Sequence, residues 1–158
     1  MTEKFDMTGL LIPDGILHDQ KLSSISLHRD KFVLGFDIEF DPNNYYDDSR
    51  CEKYKDFKKC EIVFHLKEDG MHEVSLKTAP RANGTYIGYL MTLRKFTEAM
   101  DETLQNPDVK NPEYVESSAS NYAFTVELSI HPSTHVKFRK YDTCDISIAA
   151  DSVEFIWE

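Results

Sequence analysis

Strict alternation of apolar and polar positions dominates this chain. In KFVLGFDIEFD, Phe32, Leu34, Phe36, Ile38 and Phe40 fall on one side and Val33, Gly35, Asp37, Glu39 and Asp41 on the other. That period of two predicts a half-buried strand with an acidic outer face. Ile25 and Leu27 precede it, and HRDK (28–31) supplies a hairpin turn. The pattern recurs in CEIVFHLK, with Ile62, Phe64 and Leu66 inward, and Glu68-Asp69-Gly70 predicts a second hairpin turn into HEVSLKT. NYAFTVELSI alternates through Tyr122, Phe124, Val126, Leu128 and Ile130, turns at His131–Thr134, and returns as HVKFRKY. CDISI, a turn at AADS (149–152) and VEFIWE complete a fourth hairpin.

One segment changes period. In TLRKFTEAMDETLQNP, Leu93, Phe96, Met100 and Leu104 recur at helical steps, Thr92 is placed to cap the start, and Asn106-Pro107 stops the run. DVKNPEYVESSAS is polar and aperiodic, which reads as a loop. The expected fold is α+β, mainly antiparallel β: about eight strands in hairpins, sandwich or barrel-like, with one amphipathic helix, as a single globular domain over 1–158. The layout around the helix hints at two similar halves, without a residue-level repeat.

Composition narrows the function classes. Lys+Arg 18 against Asp+Glu 28 gives a net charge of −10, which repels nucleic-acid phosphates and suits a basic protein partner or plain solubility. Cys51, Cys60 and Cys144 are an odd number without metal-site spacing, as expected in a reducing cytosol. The opening MTEKFDMTGLLIPDG lacks a basic stretch followed by an apolar core. A soluble cytoplasmic protein is the expectation, with no membrane partner.

Candidate chemistry is sparse. His18-Asp19 invites an acid–base reading, but adjacent side chains on an extended chain point apart, so the pair reads as the lead-in to the first strand. His65 and His72 flank the EDG turn and are the best-placed pair to face each other across it, but two ligands are fewer than zinc needs, so they read as solvent-facing strand histidines. His131 and His135 flank Pro132 in a turn. Counted from Asp41, a calcium loop would have Glu52 at its twelfth position but Tyr46 where a glycine is needed. Cys144 alternates with Ile146 and Ile148, which predicts burial. No nucleophile elbow or phosphate-binding glycine loop occurs, and no cofactor or metal is expected.

The remaining signal is a run of carboxylates and tyrosines: Asp37, Glu39, Asp41, Tyr45, Tyr46, Asp47, Asp48, Glu52 and Tyr54. Tyrosine among acids suits a surface that binds something basic. A solvated outer face is the plain alternative.

HDQKLSSISLHRDKFVLGFDI, with CDISIAADSVEFIWE at the far end, resembles a pattern in small uncharacterised bacterial proteins, some of which look like immunity proteins of polymorphic toxin systems. The resemblance implies a non-catalytic inhibitor of one cognate toxin, and it carries no motif of functional residues. Two other classes stay open: a small-molecule binder or enzyme built on a β-barrel-like cavity, and a structural homo-oligomer.

Overall fold

The computed structural model describes residues 1–5, 14–40, 49–120, 123–130 and 138–158, with the side chains of 14, 15 and 49–51 left aside. In chain order the elements are β1 (Thr2–Phe5), α1 (Asp14–Leu17), β2 (Lys21–Leu27), β3 (Lys31–Asp37), α2 (Ser49–Tyr54), β4 (Lys59–Leu66) and β5 (Glu73–Lys77). They continue with β6 (Gly88–Thr92), α3 (Leu93–Leu104), β7 (Glu113–Ala119), β8 (Phe124–Ser129), β9 (Thr143–Ile148) and β10 (Ala150–Trp157). The strands form one antiparallel ten-stranded sheet in the order β1-β10-β4-β3-β2-β7-β8-β9-β5-β6, open at β1 and β6.

The predicted β2–β3 hairpin, the β8 strand and the helix form as their patterns require. Phe32, Leu34, Phe36 and Ile38 are buried and Asp37 and Glu39 exposed. The Thr92 hydroxyl accepts the Lys95 N–H at 3.2 Å, which caps α3, and Leu93, Phe96 and Met100 face the core.

Four expectations are corrected. Segment 113–119 is a strand, because Tyr114 is wholly buried and meets Phe36 edge-to-face at 5.6 Å. A bulge between Tyr114 and Glu116 breaks its period and hides it from pattern reading. The EDG turn does not close a hairpin: β4 pairs with β3 and β10, whereas β5 pairs with β9 and β6. Likewise β9 and β10 are not partners, and the chain crosses the sheet at Ala149. Finally, of the strand expected over 135–141, residues 138–140 form a turn, with Phe138 buried against Phe96, and residues 135–137 lie outside the described residues.

These corrections expose an internal pairing of two repeats. The first is β1-α1-β2-β3-α2-β4-β5 and the second β6-α3-β7-β8-β9-β10. Each contributes a three-strand meander and sends its last strand to the far edge of the other's meander. The meanders meet where Tyr114 N–H donates to Gln20 O (2.9 Å) and Leu22 N–H to Pro112 O (2.8 Å), a reciprocal pair. Both seam strands carry a bulge at the matching place, Leu22/Ser24 and Tyr114/Glu116. Helix α1 packs on β7 and α3 on β2, again reciprocally. Through the registers Phe32 matches Phe124, Leu34 Val126, Phe36 Leu128, Cys60 Cys144 and Ile62 Ile146. In sequence, FVLGFDI (32–38) beside FTVELSI (124–130) and CEIVF (60–64) beside CDISI (144–148) keep a visible trace.

The exchange is held at Ala149. Its carbonyl accepts Lys67 N–H at 3.0 Å, its N–H donates to His72 Nδ1 at 3.1 Å, and Gly70 lies so close that an added Cβ would stand 2.7 Å from the Ala149 methyl. One apolar core runs through both halves. No helix of the described residues is long and apolar enough to cross a membrane.

Candidate partner-binding surface

His18 and Asp19 do not lie on extended chain. They form the turn after α1, where Asp19 takes a left-handed φ of 66° that aspartate tolerates. The turn brings His18 Nδ1 within 3.1 Å of Asp19 Oδ1, contrary to the expected separation, but both side chains are exposed. The structural work is done by the Asp19 backbone, whose N–H donates to Tyr114 O at 2.8 Å across the seam. His65 and His72 do not face each other as a pair: His65 bonds Glu154 at 2.9 Å, and His72 accepts from Ala149. Burial lowers the His72 pKa, in keeping with its acceptor role. Cys60 and Cys144 are buried free thiols, pushed far above their ordinary pKa by burial. His131 and His135 lie outside the described residues.

The carboxylate–tyrosine run is divided by the structure. Asp37 and Glu39 are exposed, but Asp37 stands in register between Lys21 and Lys59 on the neighbouring strands. Glu39 is fixed through its backbone, its N–H donating to the buried Gln20 side chain at 2.8 Å. Glu52 is exposed and pairs with Lys55 at 2.7 Å. Tyr54 is not on the surface: its ring packs on Trp157 at 4.5 Å and its hydroxyl donates to Glu3 at 2.8 Å. Tyr54 ends α2 and turns inward, whereas Glu52 and Lys53 beside it are exposed. Asp41, Tyr45, Tyr46, Asp47 and Asp48 lie outside the described residues. The described part of the run is thus a surface of interspersed acids and lysines.

A second acidic surface was not anticipated. Three carboxylates stand side by side on adjacent strands, because Glu116 of β7 is opposite Glu127 of β8, and Glu127 is opposite Asp145 of β9. The row continues through Ser75 of β5 to Leu90 of β6, which is 61% exposed. Ser118, Thr125, Ser147 and Glu73 flank it on one side. Like charges directly opposite each other oppose folding. Burial, with Asp145 and Glu116 adding to it, raises the Glu127 pKa above its ordinary value. Lys77 offsets part of this, with Nζ 2.6 Å from Asp145 and 5.5 Å from the Tyr86 ring centre.

The matching row in the first repeat reads Ser24, Gly35, Glu61, Ile156 and Thr2, with one acid in five places. Two equivalent halves face the same folding demands, yet one carries three adjacent carboxylates. A reading of 113–119 as loop concealed this row, since Glu116 has no strand partner until β7 exists. The polar alternation Thr125-Glu127-Ser129 beside Thr143-Asp145-Ser147 was the available signal.

Between the halves lies a shallow cleft with room for about one water molecule, lined by Phe64, Phe124, Phe155 and other apolar side chains with Ser117, Ser118 and Thr125. No titratable group lines it. Among the described residues no three His, Cys, Asp or Glu side chains gather as a metal set. Comparison with protein-family models, characterised proteins and solved structures finds no match.

Proposed function

We propose that this chain is a non-catalytic binding protein whose acidic face on the second half engages a basic protein, an immunity-type inhibitor of a basic toxin or nuclease being its sharpest form. The observation that carries the reading is the row Glu116–Glu127–Asp145. Adjacent carboxylates on a sheet face are unfavourable in the free protein and become favourable when a cationic surface covers them. The net charge of −10 extends the same field over the molecule and accelerates encounter with a positive partner. The described part of the 37–54 run, diluted by lysines, contributes less.

The test begins with crosslinking in the source cells and purification of whatever protein is captured. Its Kd is then measured by calorimetry at low and physiological salt, for the wild type and for E116Q/E127Q/D145N. The expected partner is basic, binds more weakly as salt rises, and loses about tenfold in affinity, or 1.4 kcal/mol, to the triple variant. A captured partner whose affinity ignores both salt and the triple variant overturns the reading.

A further inference from the structure

Strand β6 ends the sheet with no described residue across its outer edge, and every residue from Pro80 to Leu90 is exposed. Tyr86, Ile87, Tyr89 and Leu90, each 50% exposed or more, cluster there. The equivalent edge of the first repeat, β1, is guarded: Glu3 accepts from Lys53 and from the Tyr54 hydroxyl, both at 2.8 Å, which holds α2 beside it. The second repeat has no counterpart of α2 among the described residues. An exposed apolar edge is a template for another strand.

The ladder phase shows which groups that strand would meet. Thr78 N–H donates to Ile87 O at 3.0 Å, so Ile87, Tyr89 and Met91 bond towards β5. The N–H and C=O of Gly88 and Leu90 then point to the free edge. Tyr86, Gly88 and Leu90 share one face by the period of two, and a Cβ built on Gly88 meets nothing nearer than 3.8 Å. Gly88 therefore leaves a notch between two large apolar side chains. That notch opens on the face bearing the acidic row, and exposed Glu73 lies one strand in from the edge, opposite Thr92.

Resting on the binding role proposed above, we infer that β6 is the docking edge, and that its occupant is an extended segment of the basic partner, apolar over Gly88 and Leu90 and lysine- or arginine-bearing beside Thr92. Such a segment lies two strand spacings, about 10 Å, from Glu73, a gap that a lysine and a glutamate side chain together span. The partner's remaining cationic surface then lies over Asp145, Glu127 and Glu116. A second copy of this chain is the less suited occupant, since each copy brings ten further net negative charges.

The probe is a fluorescent peptide, acetyl-Lys-Lys-Val-Thr-Val-Tyr-Val-Thr-amide, against the version with both lysines replaced by glutamate. Anisotropy is expected to show at least tenfold tighter binding of the lysine peptide, and amide exchange at Gly88 and Leu90 is expected to slow when it binds. Leu90→Pro removes an N–H that β5 does not use and should abolish binding without unfolding the chain. Gly88→Val, which fills the notch, should weaken it by a comparable factor and serves if the proline variant does not fold. Equal affinity for the two peptides, or binding with Gly88 and Leu90 exchange unchanged, overturns the inference. So does light scattering that shows a dimer dissociated by either variant. If E116Q/E127Q/D145N weakens the crosslinked partner while Gly88→Val leaves it unchanged, the edge assignment fails and the binding role stands.

Discussion

Glu127 stands between Glu116 and Asp145 with its carboxyl pKa raised by partial burial and by those two charges. A carboxylate raised in the folded state binds its proton more tightly there than in the unfolded chain. Folding is therefore favoured at acid pH, and this contribution is lost as pH rises from the ordinary glutamate range through the raised value. At neutral pH Glu127 opposes folding. Glu127→Gln should stabilise the protein at pH 7 and low salt by up to about 1 kcal/mol, the scale of a cross-strand like-charge pair. Urea unfolding checks it, and the gain should shrink in high salt and vanish as pH falls below the glutamate range. The same variant should bind the partner less well, because the charge that opposes folding is the charge that binding uses. His18-Asp19 teaches the opposite lesson. The pair meets at 3.1 Å on the open surface, and only the Asp19 backbone conformation has a structural task.

At the scale of elements, the clearest periods were legible because one face of each is buried. Phe32 to Ile38 and Phe124 to Ile130 show this for strands, and Leu93, Phe96 and Met100 show it for α3. What escaped were connections. Gly70 follows an acidic turn as hairpin glycines do, yet its reason is the methyl of Ala149 2.7 Å from where a Cβ would stand. Gly70→Ala should cost about 1–3 kcal/mol by overpacking the crossing, read as a lower urea midpoint. His72 holds the same crossing by accepting the Ala149 N–H. Its pKa is lowered by burial, so the folded chain holds the proton less tightly than the unfolded chain. The His72 contribution is present above the ordinary imidazole range and is lost as pH falls from that range through the lowered value. Amide exchange at Ala149 should therefore quicken on mild acidification beyond the chemical pH dependence. His72→Gln, which keeps an acceptor and cannot titrate, should remove that excess. Strand β7 was hidden by its bulge, and the acidic row went with it, because a row across strands exists only once their register is known.

At the scale of the whole molecule, the exchange of β5 and β10 determines how the chain must unfold. Neither repeat completes its own half-sheet, since β4 has β10 as its outer neighbour and β9 has β5. Loss of one repeat thus strips a strand from the core of the other. Tyr114 sits at the join, wholly buried against Phe36, with its hydroxyl bonded to Ser117. Tyr114→Ala should cost about 3–5 kcal/mol, the range for removing a buried aromatic ring. Two reporters distinguish cooperative from separate loss. Trp157, the only tryptophan, packs on Tyr54 and Phe57 in the first half, so its fluorescence follows that half. Exchange of the Ile146 amide follows β9 in the second. With the strands exchanged, both should be lost at one urea midpoint in the wild type and at one lower midpoint in Tyr114→Ala. Two halves that merely abut would instead separate, with the half that retains Phe36 outlasting the half that lost Tyr114. Coincident midpoints also bear on binding. A partner that grips the acidic row or the β6 edge would stabilise both halves, and Trp157 fluorescence in the far half would report its arrival as a raised urea midpoint.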